Sequence, residues 1–339
     1  MAIENKRRTR QELADYFSQQ GVGVYDLEDM IRVIEEINAL KKEKNAVILA
    51  HYYMRDGIKV GIADYIGDSL DLSKAAKATD AAMIVFCGVH FMAETAKILN
   101  PSKKVLLPSL EAGCSLAASI TGADVRRLRE QYPDAAVVTY INTTAEVKAE
   151  SDVCVTSANA KKVISRLPQK KIVFIPDKYM ARNLREELPD KEIIEWDGAC
   201  IVHEQYAGLY IPVLRSQHPG LKVLAHYECD GSVIKAADMH GGTSDMRRYI
   251  RETNAPAYFL ATECGLASTI KAEMPEKNIV GACTVCPYMK KIDLHNTLQT
   301  LQEEKPEIVV PEPIRARAEK CLERMFELGS DAKNEVKAA

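Results

Sequence analysis

Cys114, Cys200 and Cys286 stand 86 residues apart in each of their two intervals. Equal spacing of metal-binding side chains is the mark of a repeated unit that delivers one thiol per copy. Three sulfurs at one point do not fit a disulfide, which uses two. A structural zinc ion takes four ligands, usually as two C-x-x-C pairs, and only one such pair occurs, Cys283 with Cys286. A 4Fe–4S cluster usually takes four thiolates. Held by three, it keeps one iron open, and that iron is a Lewis acid for a hydroxyl or carboxylate oxygen. The chemistry expected is therefore catalysis rather than electron transfer. The competing reading is three buried cysteines at repeated structural positions, because free cysteine packs as a small apolar residue. That plainer reading is the one taken for Cys87, Cys154, Cys229 and Cys321.

The elements that must position these thiols also recur. NAVILAHYY, AAVVTYIN and LKVLAHYE are apolar, β-branched runs that end in polar residues: His51 to Tyr53, Tyr140 to Asn142, and His226 to Glu228. Such runs read as buried parallel strands. About 17 residues on in each copy, Ser69, Ser157, and Thr243 with Ser244 stand ahead of a helical pattern, as helix N-caps do. Another apolar strand follows (AAMIVFCGV, KKIVFIPD, PAYFLATE), then a short one (KKVLLPS, KEIIEWD, KNIVGAC), and then the cysteine. Strand–helix–strand–helix–strand predicts an α/β fold of three small parallel sheets covered by helices on both faces. The expected organisation is an N-terminal helical segment over 1–44 and repeats over 45–115, 116–200 and 201–289. Helices over 290–339 pack back on the first repeat, ahead of a disordered charged tail. Ligands bind beyond the carboxyl ends of parallel strands, so three repeats in pseudo-threefold arrangement would turn these ends to one central site.

Helix N-termini at Ser69, Ser157 and Thr243 would favour an anion there, a phosphate or a dicarboxylate, although ordinary capping explains any one of them alone. Tyr53, His226, Glu228 and His51 at strand ends are acid–base candidates. Glu228 lies two residues after His226 and shares its strand face. Asp68 could bind an ammonium or imine, and His203, three residues after Cys200, could line the same site. Each alone reads equally well as structural; at one edge they read as catalytic.

The 339 residues are 47% hydrophobic and 27% charged, with a net charge of −3 and no isolated basic cluster, which argues against a nucleic-acid partner. No run of about 18 apolar residues is present, so no membrane span is expected. MAIENKRRTRQELADYF lacks the apolar core of a secretory leader. It reads as a polar tail entering an amphipathic helix, with a second helix over 26–44. The nine cysteines are odd in number in a large chain, which disfavours a disulfide scaffold. No G-x-G-x-x-G or P-loop motif occurs, which disfavours a dinucleotide or ATP. The expected location is cytoplasmic.

The segments AHYY, ADYIGDSLDLSKAA, CGVHFMAETAKIL, EAGCSL, GACIVHE and CPYM resemble those of the quinolinate synthase family, the A protein of bacterial NAD-ring synthesis, over roughly residues 45–290. The resemblance implies three homologous α/β/α sandwich domains in a triangle around a central active site, with one 4Fe–4S cluster on Cys114, Cys200 and Cys286. It implies a transferase that condenses iminoaspartate with dihydroxyacetone phosphate to quinolinate, releasing phosphate and two waters. It also implies roles: Glu228, Tyr53 and His226 in proton transfer; Tyr140 and Asn142 on substrate carboxylates; Ser69, Ser157 and Thr243 on the phosphate. His51, Asp68 and His203 fall in the substrate pocket, and Met289 packs over the cluster. Iminoaspartate hydrolyses readily, so functional coupling to an aspartate oxidase or dehydrogenase is implied.

Three positions depart from the family pattern. Gly242 stands where serine is common, which removes a hydroxyl from the phosphate site while its N–H remains. Cys264 stands where arginine often follows the acidic residue, and at strand-end level it could lie near the cluster. Cys283, in a shorter cysteine run than some members carry, is a free thiol able to form a reversible disulfide. Rival classes are an iron–sulfur sensor or electron carrier, an iron–sulfur hydro-lyase, and a zinc-stabilised binding module. The titratable strand ends, the three anion-directed helices and the missing fourth ligand argue against them in turn.

Overall fold

The computed structural model describes residues 2–281 and 284–330. Residue 283, and with it the expected free thiol, and the tail beyond 330 lie outside these. The strands are β1 (Ile3–Glu4), β2 (Ala46–His51), β3 (Tyr65–Gly67), β4 (Met83–Cys87), β5 (Lys104–Leu106), β6 (Ala136–Tyr140), β7 (Val153–Val155), β8 (Lys171–Ile175), β9 (Glu192–Glu195), β10 (Leu221–His226), β11 (Met239–Gly241), β12 (Ala257–Ala261) and β13 (Ile279–Val280). They form three sheets, ordered β1-β3-β2-β4-β5, β7-β6-β8-β9 and β11-β10-β12-β13. All pairings are parallel except that of β1 with β3. Helices join the parallel strands, as parallel pairing requires. In every sheet the first long strand of the repeat (β2, β6, β10) lies between the second and third. The chain therefore leaves it first to one side and then to the other. The carboxyl end of that strand is the switch point where such sheets bind ligands.

The short strands β3, β7 and β11 add to the expected pattern. Each is introduced by an aspartate that repeats with the fold. Asp64, Asp152 and Asp238 accept the backbone N–H of Ile48, Val137 and Val223 at 2.8, 2.8 and 2.9 Å. Each carboxylate also meets a cation from the helix before the central strand: Lys41, Arg129 or Arg215 at 2.9, 2.7 and 2.8 Å. The aspartate thus pins the short strand in register and ties a covering helix to the sheet.

Polar latches connect the units in a closed sequence. Glu94, on the helix His90–Leu99 of the first unit, accepts the N–H of Ala145 in the second at 3.0 Å. Asn183, on the helix Lys178–Glu187 of the second, donates to the Tyr227 and Cys229 carbonyls of the third, each at 3.0 Å. Buried Lys59 of the first donates to the Gly265 carbonyl, Ser268 Oγ and Thr269 Oγ1 of the third, at 2.7, 2.7 and 3.0 Å. Asn183→Ala strands two buried carbonyls and should lower stability by about 2 kcal/mol. Urea unfolding checks this, and an unchanged midpoint would show that the latch carries no load.

At the N-terminus a Thr9–Glu12 capping box opens the helix Arg10–Gln19, and the expected second helix spans Val24–Glu43. The C-terminal helices divide. Leu294–Glu303 packs on Val24–Glu43 and β4, beside the first sheet. Glu312–Gly329 packs chiefly on the second unit, against Ala145–Ala149 and β7, with a smaller contact to His90–Leu99 of the first. Its apolar stripe (Ala318, Cys321, Leu322, Met325) is buried there, and Arg317 reaches Glu150 at 3.1 Å. No helix among the described residues is long and apolar enough to cross a membrane.

Candidate active site

The carboxyl ends of β2, β6 and β10 open on one cavity. His51, Tyr53, Asp68, Ser69, Tyr140, Asn142, Ser157, His203, His226, Glu228, Thr243, Met289 and the three cysteines all line it. The first and third units share a device there. His51 Nδ1 accepts the Tyr53 N–H at 3.2 Å, and His226 Nδ1 accepts the Glu228 N–H at 3.3 Å. An Nδ1 that accepts leaves Nε2 as the protonated nitrogen, so the hydrogen-bond pattern assigns the tautomer. Burial holds both rings in the neutral form, lowering each to about 3; neighbouring His226 adds to the effect on His51, and His203 to that on His226.

Glu228 is the hub. Tyr140 donates to Oε1 at 2.6 Å, and His203 Nδ1 lies 2.9 Å from Oε2. Burial opposes the charged carboxyl, but His203 and His226, with the hydrogen bonds from His203 and Tyr140, hold it well below the usual carboxylate range. The His203 ring stacks on His226 at 4.3 Å between centroids. Its Nε2 lies 2.9 Å from Thr262 Oγ1, which is 2.7 Å from Tyr53 OH. Thr262, one residue past β12, was not anticipated. It lies at the same strand-end level as the residues that were, and that position was the available signal.

Each cysteine begins a helical turn and meets the same donors. The N–H groups of residues two and three positions on point at the sulfur: Leu116 and Ala117 for Cys114, Val202 and His203 for Cys200, Tyr288 and Met289 for Cys286. Burial pushes the Cys114 thiol up to about 12 and raises Cys200 and Cys286, while these N–H groups favour the thiolates. Three thiols with paired N–H donors, in a pocket shared with acid–base groups, fit an iron–sulfur cluster, whose sulfurs are tuned by such bonds. Cys87, Cys154, Cys229 and Cys321 are buried free thiols away from this wall. Cys264 is disulfide-bonded and lines a different cavity, with Arg55, Asp56 and Lys271, while its N–H donates to the Thr284 carbonyl at 3.0 Å, two residues before Cys286.

At the other side, the serine and threonine positions differ from the expected N-caps. Asp68 caps the helix Ser69–Ala78, accepting the Asp71 N–H at 2.8 Å, and Ser69 is the first helical residue. With Asp68 in the capping position, Ser69 is left to line the cavity. Thr243 likewise opens its helix behind Gly242, and Ser157 sits in the turn before Asn159. The Gly242 N–H is not available to a ligand: Asp245 accepts it at 3.0 Å. A Cβ on Gly242 would stand 2.8 Å from Ser157 Oγ, so this chain's glycine makes room for that hydroxyl. Thr156 Oγ1, also unanticipated, is buried on the cavity wall without a hydrogen-bond partner among the described residues. Burial and neighbouring Asp71 raise Asp68 to about 6.

A strand-end cavity combining three thiols, a carboxylate–imidazole–phenol network and hydroxyls at helix starts defines an α/β enzyme of small-molecule chemistry. The sequence profile of the family described as Quinolinate synthetase A protein matches residues 35–327, and the chain belongs to that family, the quinolinate synthases of NAD biosynthesis. It is 47% identical over 300 residues to the quinolinate synthase of Caulobacter vibrioides, covering 87% of this chain and 82% of that one. It is 48% identical over 293 residues to that of Xylella fastidiosa, covering 86% of each. Among solved structures, the E-1-hydroxy-2-methyl-but-2-enyl-4-diphosphate reductase of Plasmodium falciparum aligns with a TM-score of 0.31 at 12% identity, over 80% of this chain and 94% of that one. A likeness that weak carries no argument.

Proposed function

We propose that the chain condenses iminoaspartate with dihydroxyacetone phosphate to quinolinate, releasing phosphate and two waters, as a cytoplasmic transferase. We assign its 4Fe–4S cluster to Cys114, Cys200 and Cys286, and its three domains to residues 45–115, 116–200 and 201–289. The observation that carries the reading is the cavity itself, which three N–H-supported thiols, hydroxyls suited to a phosphate and Glu228 line together. When bound, the cluster supplies an open Lewis-acidic iron that can hold a substrate oxygen and ease its loss as water.

The chain's own groups do the rest. Ser69, Ser157 and Thr243 seat the phosphate, and the unpartnered Thr156 hydroxyl adds a donor. Tyr140 and Asn142 hold substrate carboxylates, and Asp68 faces the imine nitrogen. Glu228 accepts the proton lost in enolisation. It is held ionised chiefly by His203 and His226, with a hydrogen bond from Tyr140, and so is in the charged form that takes a proton. His226 Nε2–H and Tyr53 return protons to leaving oxygens. His51 orients Tyr53 through its backbone bond and a ring contact of 4.5 Å, and Met289 covers the cluster. An aspartate oxidase or dehydrogenase supplies the imine.

The test is anaerobic purification, iron and sulfide analysis, and an assay of quinolinate from dihydroxyacetone phosphate and freshly generated iminoaspartate. About four irons per chain, with cluster and activity lost in each of Cys114→Ala, Cys200→Ala and Cys286→Ala, is the expected result. A cluster without quinolinate formation would move the reading to a hydro-lyase or a sensor, and no cluster in the anaerobic wild type would sink it.

A further inference from the structure

We propose that, without its cluster, the chain holds a single divalent ion of the zinc class on Cys200, His203 and Glu228. Among the described residues these are a thiol, an imidazole and a carboxylate whose ligand atoms all lie within 4.8 Å of one another. His203 Nδ1 is 3.2 Å from Cys200 Sγ and 2.9 Å from Glu228 Oε2. These are hydrogen-bond spacings, shorter than the roughly 3.3–3.8 Å edges of a tetrahedron with bonds of about 2.0–2.3 Å, so the trio closes around an ion by moving apart by a few tenths of an ångström. Three such protein ligands leave a fourth position for water, the pattern of open zinc sites.

The atoms facing outward from this trio make the stronger argument. Metal-bound histidines have their second ring nitrogen fixed by an oxygen partner, and ligand carboxylates are hydrogen-bonded in turn. Here His203 Nε2 meets Thr262 Oγ1 at 2.9 Å, and Tyr140 donates to Glu228 Oε1 at 2.6 Å. The supporting shell is in place while Sγ, Nδ1 and Oε2 point at one another. Binding releases the Cys200 thiol proton; Nδ1 gives up any proton it carries to Nε2, where Thr262 Oγ1 accepts it. One thiolate and one carboxylate then neutralise the dication, which a buried site requires. Zinc binding does not depend on the cluster reading. Its consequence does: an ion there occupies one of the three proposed cluster thiols and the proposed base, so zinc would block iron loading until chelated.

The experiment uses the full chain, cluster-free and reduced, titrated with zinc against a chromogenic chelator. One zinc per chain is expected. Cys200→Ala should abolish binding, and His203→Ala and Glu228→Gln should weaken it by about 100-fold. Thr262→Val should weaken it by about tenfold, as loss of an outer partner does, with Cys114→Ala and Cys286→Ala unchanged. Cobalt in the wild type, which needs no variant to fold, should show sulfur-to-metal charge transfer of one-thiolate intensity. Three-thiolate intensity, equal losses in Cys114→Ala and Cys286→Ala, or no stoichiometric binding overturns the proposal. Iron and sulfide uptake in zinc-free reconstitution tests the cluster separately, so the two can fail independently.

Discussion

Glu228→Gln should lower kcat for quinolinate formation by about 10³-fold, in the range set by loss of a positioned base, with little change in KM for either substrate. The amide keeps the shape of the side chain and an oxygen for the Tyr140 hydroxyl, now 2.6 Å from Oε1. What it removes is the charge that faces His203 and the ability to take a carbon-bound proton. Phosphate binding, placed on Ser69, Ser157 and Thr243, should survive, and so should the iron content, because Glu228 is not assigned to the cluster. A loss below about tenfold, or a loss carried by KM, would remove Glu228 from the chemistry and leave it as a scaffold for His203.

Acid should unfold this chain steeply, and two histidines should set the slope. His51 and His226 are buried and neutral, with folded values of about 3 against an ordinary 6.5. Between those limits the unfolded chain binds more protons, so stability rises with pH. It is complete above about 6.5 and is lost as pH falls. Each histidine contributes about 1.4 kcal/mol per pH unit. Asp68, raised to about 6, acts with the opposite sign over about 4–6, because there the folded state holds the extra proton. Asp177 and His90, whose folded values are also raised, act with the sign of Asp68, so the histidine share is read by difference. His51→Asn, whose oxygen can still accept the Tyr53 N–H, should lower the slope of unfolding free energy against pH between about 5 and 6.5 by about 1 kcal/mol per unit. An unchanged slope would mean that His51 does not titrate on unfolding.

The sequence carried the three long strands, the helices after them and the cysteine register, because five- and six-residue β-branched runs and an interval of 86 are long signals. It did not carry β3, β7 and β11, since three residues are too few to show a period. The aspartate before each was a repeated mark that apolar patterning passes over. The strand-end residues assemble in one cavity, as the topological rule for parallel sheets anticipates. Thr262 and Thr156 escaped because a threonine at a strand end is common, and only a partner on another unit, or the lack of one, distinguishes it. Gly242 was read for the hydroxyl it lacks; its N–H proved to be taken by a carboxylate three residues ahead. The last helix was placed on the wrong neighbour chiefly because an apolar stripe names no partner.

The latches between units use a carboxylate, Glu94, then an amide, Asn183, then an ammonium, Lys59. Each plug fits only the socket of one particular neighbour: a backbone N–H, a pair of carbonyls, or a carbonyl with two hydroxyls. Three copies of any single unit would present plugs without matching sockets, so one unit cannot reproduce this arrangement by self-association. The units are keyed parts that close in one order, and that order brings the Tyr53 hydroxyl of the first unit to Thr262 Oγ1, which also meets His203.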